Sequence, residues 1–149
     1  MSAGQISTEK RINEGIMTQN IDLVAESIHE AEIEIRLKEK FVERAICRQL
    51  HIGGINHERQ VFLPLGIADI VDYDTKTIIE VKAILNRSSI FNAIGQLVIY
   101  VSCMGKPADW SMAIAGIDHP DIQSMKPNLE RVGITVHIYE KGEVESWSK

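Results

Sequence analysis

The sequence holds only two cysteines and no long apolar run among its 149 residues. Cys47 and Cys103 stand apart, in no metal-ligand spacing, which excludes a disulfide framework and predicts two reduced core residues. No stretch stays apolar over the roughly 18 residues that a membrane-spanning helix needs. Residues 1–15 lack the apolar centre and the cleavage site of a signal peptide. We therefore expect a cytoplasmic protein that has no membrane partner.

An excess of positive charge is also missing, because the net charge at pH 7 is −5. Phosphate binding needs lysine and arginine, so the total charge argues against a nucleic-acid partner. Binding surfaces are local, however, and the basic side chains of this chain are grouped. The groups are Arg36, Lys38, Lys40, Arg44 and Arg48 in one stretch, and His57, Arg59 and Arg87 further on. Total charge alone therefore does not decide for or against DNA.

The first third of the chain has the pattern of a long helix. Apolar residues recur at helical spacing from Val24 to Ile46, with Asn20 as a plausible cap. We expect this helix, continuous or broken in two, to end before Gly53-Gly54. Residues 1–20 are predicted to form an N-terminal arm, and residues 21–149 a single domain.

Strand and helix patterns alternate in the rest of the chain. They predict strands over 60–63, 67–73 and 77–83, a helix over 91–104 capped by Ser88-Ser89, a strand over 110–117, a helix over 121–132 and a strand over 134–140. The helix over 91–104 is apolar on nearly every side, which predicts complete burial against a sheet. The expected fold class is α/β (α+β), with a central mixed sheet that is flanked by helices.

The second and third predicted strands form a hairpin whose register brings two carboxylates together. If the turn closes symmetrically around Asp74-Thr75, Asp69 lies directly opposite Glu80 for either symmetric loop length. Opposed side chains stand about 5 Å apart at Cβ, where like charges destabilise a sheet. A divalent cation between the carboxylates removes that repulsion, and oxygen-only ligands suit Mg²⁺. Asp72 and Asp74 are better explained as turn residues.

Lys82 stands two residues after Glu80 and therefore shares its sheet face, about 7 Å further along the strand. An ammonium group beside a metal can orient a water and stabilise charge on a phosphate under attack. Asp69, Glu80 and Lys82 thus supply what metal-assisted phosphodiester hydrolysis needs. A salt-bridged, exposed sheet face would use the same residues, so the pattern leaves both interpretations open.

Asp69, ten further residues and the apolar-flanked Glu80-Val81-Lys82 resemble the signature of the PD-(D/E)XK nuclease superfamily. The leading proline of that motif is Ala68 here, while the acidic position is intact. The resemblance implies a restriction-endonuclease-like core. It also implies a Mg²⁺ centre in which Asp69, Glu80 and the Val81 carbonyl bind the metal and Lys82 positions the attacking water.

Gln96 and Tyr100, one helical turn apart, resemble the Gln-x-x-x-Tyr element of some branches of the superfamily. There the glutamine belongs to the reaction centre, which implies that Gln96 supports water or phosphate. From the residues alone, Gln96 could equally be a core amide with a hydrogen-bonding partner. The superfamily often adds a first-helix glutamate to the metal shell. The candidates are Glu30, Glu32, Glu34, Glu39 and Glu43, of which we prefer Glu34, with Glu39 as the alternative.

The stretch from about Glu34 to Ser102, with the block LPLGIADIVDYDTKTIIEVKAIL, resembles an intron-encoded homing endonuclease of this superfamily, one carried by a cyanobacterial group I intron. The resemblance implies a site-specific double-strand DNA endonuclease without an organic cofactor. One site per chain and two strands to cut imply a homo-oligomer, either a dimer or a tetramer. The predicted DNA contacts are Arg36, Lys38, Lys40, Arg44, His57, Arg59, Asn86, Arg87 and Ser88. A restriction-type or junction-resolving endonuclease, or a catalytically silent nuclease-like module, remains the alternative.

Overall fold

The computed structural model describes the backbone of residues 3–146 and the side chains of residues 24–146. A long helix comes first, and five strands with further helices follow it. The elements are α1 (Ala3–Ile52), β1 (His57–Leu63), β2 (Gly66–Asp72), β3 (Thr77–Ile84), α2 (Arg87–Ser102), a 3₁₀ turn (Pro107–Asp109), β4 (Ser111–Ile117), α3 (Pro120–Arg131), β5 (Ile134–Tyr139) and α4 (Lys141–Ser146). The predicted α+β class and the long N-terminal helix are confirmed.

The five strands form one mixed sheet in the order β1-β2-β3-β4-β5. The first three strands are antiparallel neighbours, whereas β3, β4 and β5 run parallel. Parallel neighbours need long crossover connections, and α2 and α3 supply them. The predicted central mixed sheet between helices is therefore confirmed.

Each face of the sheet carries its own core. On the face that α2 and α3 cover, here called the α2 face, Ile78 and Ile114 belong to the core. On the opposite α1 face, apolar residues of the stretch 42–50 of α1 pack with Ile79 and Val81. Successive β3 side chains thus go to opposite faces, as the strand period of two requires.

Helix α1 is longer than the sequence pattern indicates. It begins at Ala3 and continues without a break, so the cap predicted at Asn20 is wrong. The predicted end before Gly53-Gly54 is confirmed. The chain divides into two compact units, Met1–Arg36 and Leu37–Lys149. The division into an arm over 1–20 and a domain over 21–149 stays a prediction.

Helix α2 differs from its prediction at its start and on its outer side. Its cap is Asn86, whose side chain accepts a hydrogen bond from the Ser89 backbone N–H at 2.9 Å, rather than Ser88-Ser89. Only one side of the helix meets the sheet, so complete burial was a wrong expectation: Phe91 and Val98 are about half exposed, at 52% and 53%. A helix beside a sheet buries one stripe, whatever the composition of the rest.

The C-terminal part adds one element that the sequence pattern missed. Lys141–Ser146 form α4, beyond the last strand predicted from the sequence, and Val144 is buried in the α1-face core. Pro127 lies inside α3 without ending that helix. Of the two cysteines, Cys47 is buried as predicted, while Cys103 is only half-buried. Among the described residues, no helix combines the length and apolar character that a bilayer crossing requires.

Candidate active site

The hairpin of β2 and β3 has the predicted register. Ile70 pairs with Ile79 and Asp72 with Thr77, which brings Asp69 to the position facing Glu80. The turn takes the longer symmetric form, over residues 73–76. Asp72 Oδ1 accepts hydrogen bonds from two backbone N–H groups of that turn, so its predicted role as a turn residue is confirmed.

Asp69 and Glu80 lie in direct contact across the hairpin. The Asp69 backbone N–H donates to Glu80 Oε1 at 3.3 Å, and Asp69 Oδ2 accepts from the Val81 backbone N–H at 2.8 Å. Backbone pairing between β2 and β3 includes Ile70 with Ile79 but does not extend to Asp69 and Glu80. There the backbone N–H groups of Asp69 and Val81 donate to the two carboxylates instead. Two of the three predicted metal ligands therefore lie side by side, with Val81 next to them.

Glu80 is the most strongly perturbed acid near this hairpin. Its side chain is 2% exposed. Burial, followed by the negative charge of Asp69, raises the pKa of Glu80 from 4.5 to about 9. A buried carboxylate beside a second one is costly unless a cation or a proton compensates it. The arrangement therefore favours a cation or a bound proton at Glu80.

Lys82 and Gln96 meet on the α2 face. Lys82 Nζ donates to Gln96 Oε1 at 2.7 Å, so α2 holds the ammonium group that β3 presents. Tyr100, one turn further along α2, is buried and hydrogen-bonds with Gln96. Burial and then the charges of Glu80 and Asp69 raise the pKa of Tyr100. These two α2 residues therefore support Lys82 beside the carboxylate pair.

Hydrogen bonds connect Glu43, a glutamate of the first helix, to Asp69. The sequence favours Glu34, with Glu39 as the alternative, for the first-helix ligand. The Glu43 side chain is 4% exposed, and Arg59 Nε donates to its Oε1 at 2.9 Å. Gln60 Nε2 lies 3.3 Å from both oxygens of Glu43 and 3.3 Å from Asp69 Oδ1. A single amide thus links the α1 carboxylate with the hairpin carboxylate. Glu34 belongs to the first unit, and its role stays a prediction.

The sequence held a signal for Glu43. At 100° per residue it falls between Ile46 and Cys47, inside the apolar sector rather than on a solvated face. The predicted sector ended with Ile46 and left out Cys47 and Leu50, which belong to or pack against the same core. An acidic residue in the middle of such a sector needs a partner for its charge, and Arg59, whose side chain is 42% exposed, is that partner.

Gln60 has an unusual backbone for a strand residue. Its φ of 51° lies in the left-handed region, although Arg59 and Val61 on either side pair with β2 in regular register. That register places Gln60 opposite Asp69. A left-handed non-glycine residue costs about 1–3 kcal/mol and persists where its surroundings hold it. Sequence reasoning missed Gln60, because nothing in a glutamine inside a strand pattern indicates this conformation.

The predicted DNA contacts are spread over the structure. Arg59 is paired with Glu43, and Asn86 caps α2. His57 Nδ1 lies 2.8 Å from the Ile55 carbonyl oxygen. The Arg87 guanidinium stands 5.2 Å from the Phe91 ring centre. Of the others, Lys40, Arg44 and Ser88 are exposed, Lys38 is half-buried, and Arg36 belongs to the first unit. Their contacts with DNA stay predictions.

A cavity of about 290 Å³ lies away from these residues, on the α1 face. Its lining includes Ile46, Ile79, Tyr139 and the exposed residues Thr135 and His137 of the β5 edge strand. None of Asp69, Glu80, Lys82 and Gln96 lines it. The candidate site is thus a hairpin surface beside α2 rather than this cavity.

Gly116 of β4 lets the parallel strands approach closely next to Lys82. A β-carbon at Gly116 would stand 2.5 Å from the Lys82 carbonyl oxygen and 2.9 Å from Leu85. We expect Gly116→Ala to lower the free energy of unfolding by about 1–3 kcal/mol, because neither β3 nor the buried Leu85 can move away cheaply.

Gly95→Ala is the matched control for this prediction, since nothing lies within 4 Å of a β-carbon there and Gly95 is inside α2. It should stabilise the protein by up to about 1 kcal/mol, the helix propensity gained. Urea unfolding of the two variants measures both values. Equal effects of the same sign would contradict the close approach at Gly116.

Within residues 24–146, whose side chains are described, no group of three or more histidine, cysteine, aspartate or glutamate side chains is arranged to hold a metal ion. Asp69 and Glu80 contribute two carboxylates to the candidate site. Mg²⁺ is commonly bound by one or two carboxylates, with waters and substrate phosphate at the other positions, so these oxygens suit it.

Comparison with protein-family models, with curated proteins and with solved structures yields no match.

Proposed function

We propose that this protein is a Mg²⁺-dependent DNA endonuclease of the PD-(D/E)XK type. The observation that carries the proposal is the contact of Asp69 with the buried Glu80, beside Lys82 that Gln96 holds at 2.7 Å. A salt-bridged surface, the plain alternative for these residues, would leave Glu80 exposed. Glu80 is instead buried, which makes a structural ion pair a poor explanation of the cluster.

Asp69 and Glu80 would hold the Mg²⁺, together with the carbonyl of Val81, and Glu43, which Gln60 links to Asp69, would join through water. The bound ion would lower the pKa of a water and neutralise charge on the phosphate. Hard oxygen donors without sulfur or imidazole favour Mg²⁺ over zinc or copper in such a site.

Lys82 would orient the attacking water and stabilise the extra negative charge on the phosphate during attack. Gln96 restricts the Lys82 side chain to one place, which is what positioning requires. In the hydrolysis the water oxygen bonds to phosphorus and one P–O ester bond breaks. A phosphate monoester and a free hydroxyl result.

The motif resemblance favours duplex DNA as the substrate. More specifically, it favours a homing endonuclease that recognises a long, specific target. Two strands must be cut while each chain carries one centre, so we propose a dimer or a tetramer. Lys40, Arg44 and Ser88 are exposed and available for phosphate. The same centre would also serve a restriction-type or junction-resolving enzyme.

A catalytically silent nuclease-like module is the candidate from another class. The net charge of −5 favours it, since it lowers the general attraction to DNA. The buried Glu80 beside the half-buried Asp69 opposes it, because a silent domain gains nothing from the cost of two adjacent carboxylates.

Incubation of the purified chain with long duplex DNA tests the proposal. We expect cleavage with Mg²⁺ and none with excess chelator, and binding without cleavage when Ca²⁺ replaces Mg²⁺. Substrates with and without an intron-insertion region separate homing from general cutting. Cleavage that persists in chelator would contradict the Mg²⁺-dependent mechanism. DNA binding without cleavage under every condition would favour the catalytically silent module.

A further inference from the structure

The side-chain amide of Gln60 occupies the space between two carboxylates. Its Nε2 lies 3.3 Å from Glu43 Oε1, from Glu43 Oε2 and from Asp69 Oδ1. Ionised carboxylates only accept hydrogen bonds, so the amide nitrogen, rather than the amide oxygen, must face them. Two N–H groups thus serve three oxygens. Several carboxylate oxygens that converge on one small, positively polarised group resemble the surroundings of a hard divalent cation.

The backbone shows that these contacts hold Gln60 in place. Its φ of 51° is disfavoured for any residue with a β-carbon. The strand on either side, at Arg59 and Val61, pairs with β2 in one register, and Gln60 stands where that pairing is interrupted. The described contacts of the side chain are those with the two carboxylates. The hydrogen bonds to these oxygens therefore favour a conformation that a strand residue otherwise avoids.

Glu43 would stay in place without the amide. Arg59 Nε donates to Glu43 Oε1 at 2.9 Å, and the glutamate is packed in the α1-face core region with 4% exposure. Asp69 is likewise held, through Oδ2, by the Val81 backbone N–H. Both carboxylates are thus fixed by other groups, and the amide fills the position between them.

We propose that the Gln60 amide is a built-in substitute for the cation, bridging Glu43 and Asp69 in the cation-free protein and leaving when a divalent cation binds. The inference rests on the proposed function, because it takes Asp69 as a cation ligand. Gln60 is then a positioning residue that sets the cation affinity of the site. Its removal takes away a competitor, so the cation should bind more tightly.

Binding of Mn²⁺ to the full chain without DNA tests this, with the rise of the melting temperature over a Mn²⁺ titration as the readout. Gln60→Gly removes the amide and tolerates the left-handed backbone. We expect its apparent dissociation constant to be about fivefold lower than that of the unmodified chain, since the net contribution of one ordinary hydrogen bond corresponds to that factor.

Lys76→Gly is the matched control, because Lys76 has the same φ of 51° in the β2–β3 turn and bridges no carboxylates. It should leave the Mn²⁺ affinity unchanged. Gln60→Asn keeps an amide on a shorter side chain and tolerates the same backbone, so it should also tighten Mn²⁺ binding. This variant tests the inference if Gln60→Gly does not fold.

Weaker or unchanged Mn²⁺ binding in the Gln60 variants would overturn the inference and leave the endonuclease proposal standing. A tighter affinity in Lys76→Gly as well would assign the effect to backbone relief and would also overturn it. If the unmodified chain binds no Mn²⁺ or Mg²⁺, the cation site itself is absent, and the proposed function falls with the inference.

Discussion

Replacing Lys82 by alanine is expected to lower the rate of DNA cleavage about 10³-fold, the loss typical when one preorganised group stops stabilising developing charge. Lys82 follows Glu80 on the same face of β3, and its Nζ is fixed by Gln96 at 2.7 Å. The truncation removes that ammonium group and leaves Asp69 and Glu80 in place. We therefore expect cation binding to survive while the chemical step is lost.

Single-turnover cleavage with protein in excess over DNA measures this effect on the chemical step. Lys126→Ala is the control, since Lys126 is a partly exposed lysine of α3 whose ion pair with Glu130 is 3.8 Å long. It should cleave like the unmodified chain, and both variants should still bind DNA in Ca²⁺. A Lys82→Ala variant that cleaves as fast as the control would remove Lys82 from the mechanism.

The stability of the cation-free protein is expected to fall as the pH rises from about 5 to about 9, the range between the two pKa values of Glu80. Burial and the charge of Asp69 raise the pKa of Glu80 from 4.5 to about 9 in the folded state. In this range the folded chain keeps a proton that the unfolded chain has released. The stabilisation is therefore complete below the unfolded pKa and is lost as the pH passes the folded one. We expect a loss of about 2–4 kcal/mol, less than the full shift implies because a charged group can relax toward water.

Urea unfolding at a series of pH values in chelator gives this profile. Glu80→Gln should flatten it, because the amide keeps an oxygen for the Asp69 N–H and carries no charge. Glu140→Gln, at an exposed position, changes the same charge and should keep the slope. Mg²⁺ should restore stability at the alkaline end, since a cation favours the deprotonated pair. A Glu80→Gln profile as steep as that of the unmodified chain would place the titrating group elsewhere.

The hairpin was predictable because three independent signals agree on it. The β-branched strands, the polar turn at Asp74-Thr75 and the period of two together fix one register, since a slip of one residue would exchange the faces of every side chain. Asp69 and Glu80 therefore face each other as expected. The contact of Lys82 with Gln96 follows from the same alternation together with the packing of α2 on that face.

The other half of the site depends on contacts that a sequence pattern does not contain. The partner of Glu43 is Arg59, which lies beyond the turn after α1, and only the docking of α1 against β1 brings the two together. The sequence predicts that Arg59 contacts DNA, and it holds no sign that the same guanidinium pairs with a buried glutamate. The left-handed Gln60 has no composition signal at all. Likewise, asparagine and serine cap helices about equally well, so propensity does not choose between Asn86 and Ser88-Ser89. The loop geometry before the helix gives that role to Asn86.

The connections of the sheet set an order for the assembly of the site during folding. The turn between β2 and β3 spans residues 73–76, so this hairpin closes locally, on a scale of about 1–10 μs for such elements. β3 meets β4 only after α2 and the 3₁₀ turn have been placed, and such non-local pairing is slower because its loop-closure entropy comes first. We therefore expect the two carboxylates to come together early and the ammonium group to gain its glutamine partner later, when α2 docks. During folding, Asp69 and Glu80 would then face each other before Gln96 holds the Lys82 ammonium group, so the early site would carry negative charge without its fixed cationic side chain.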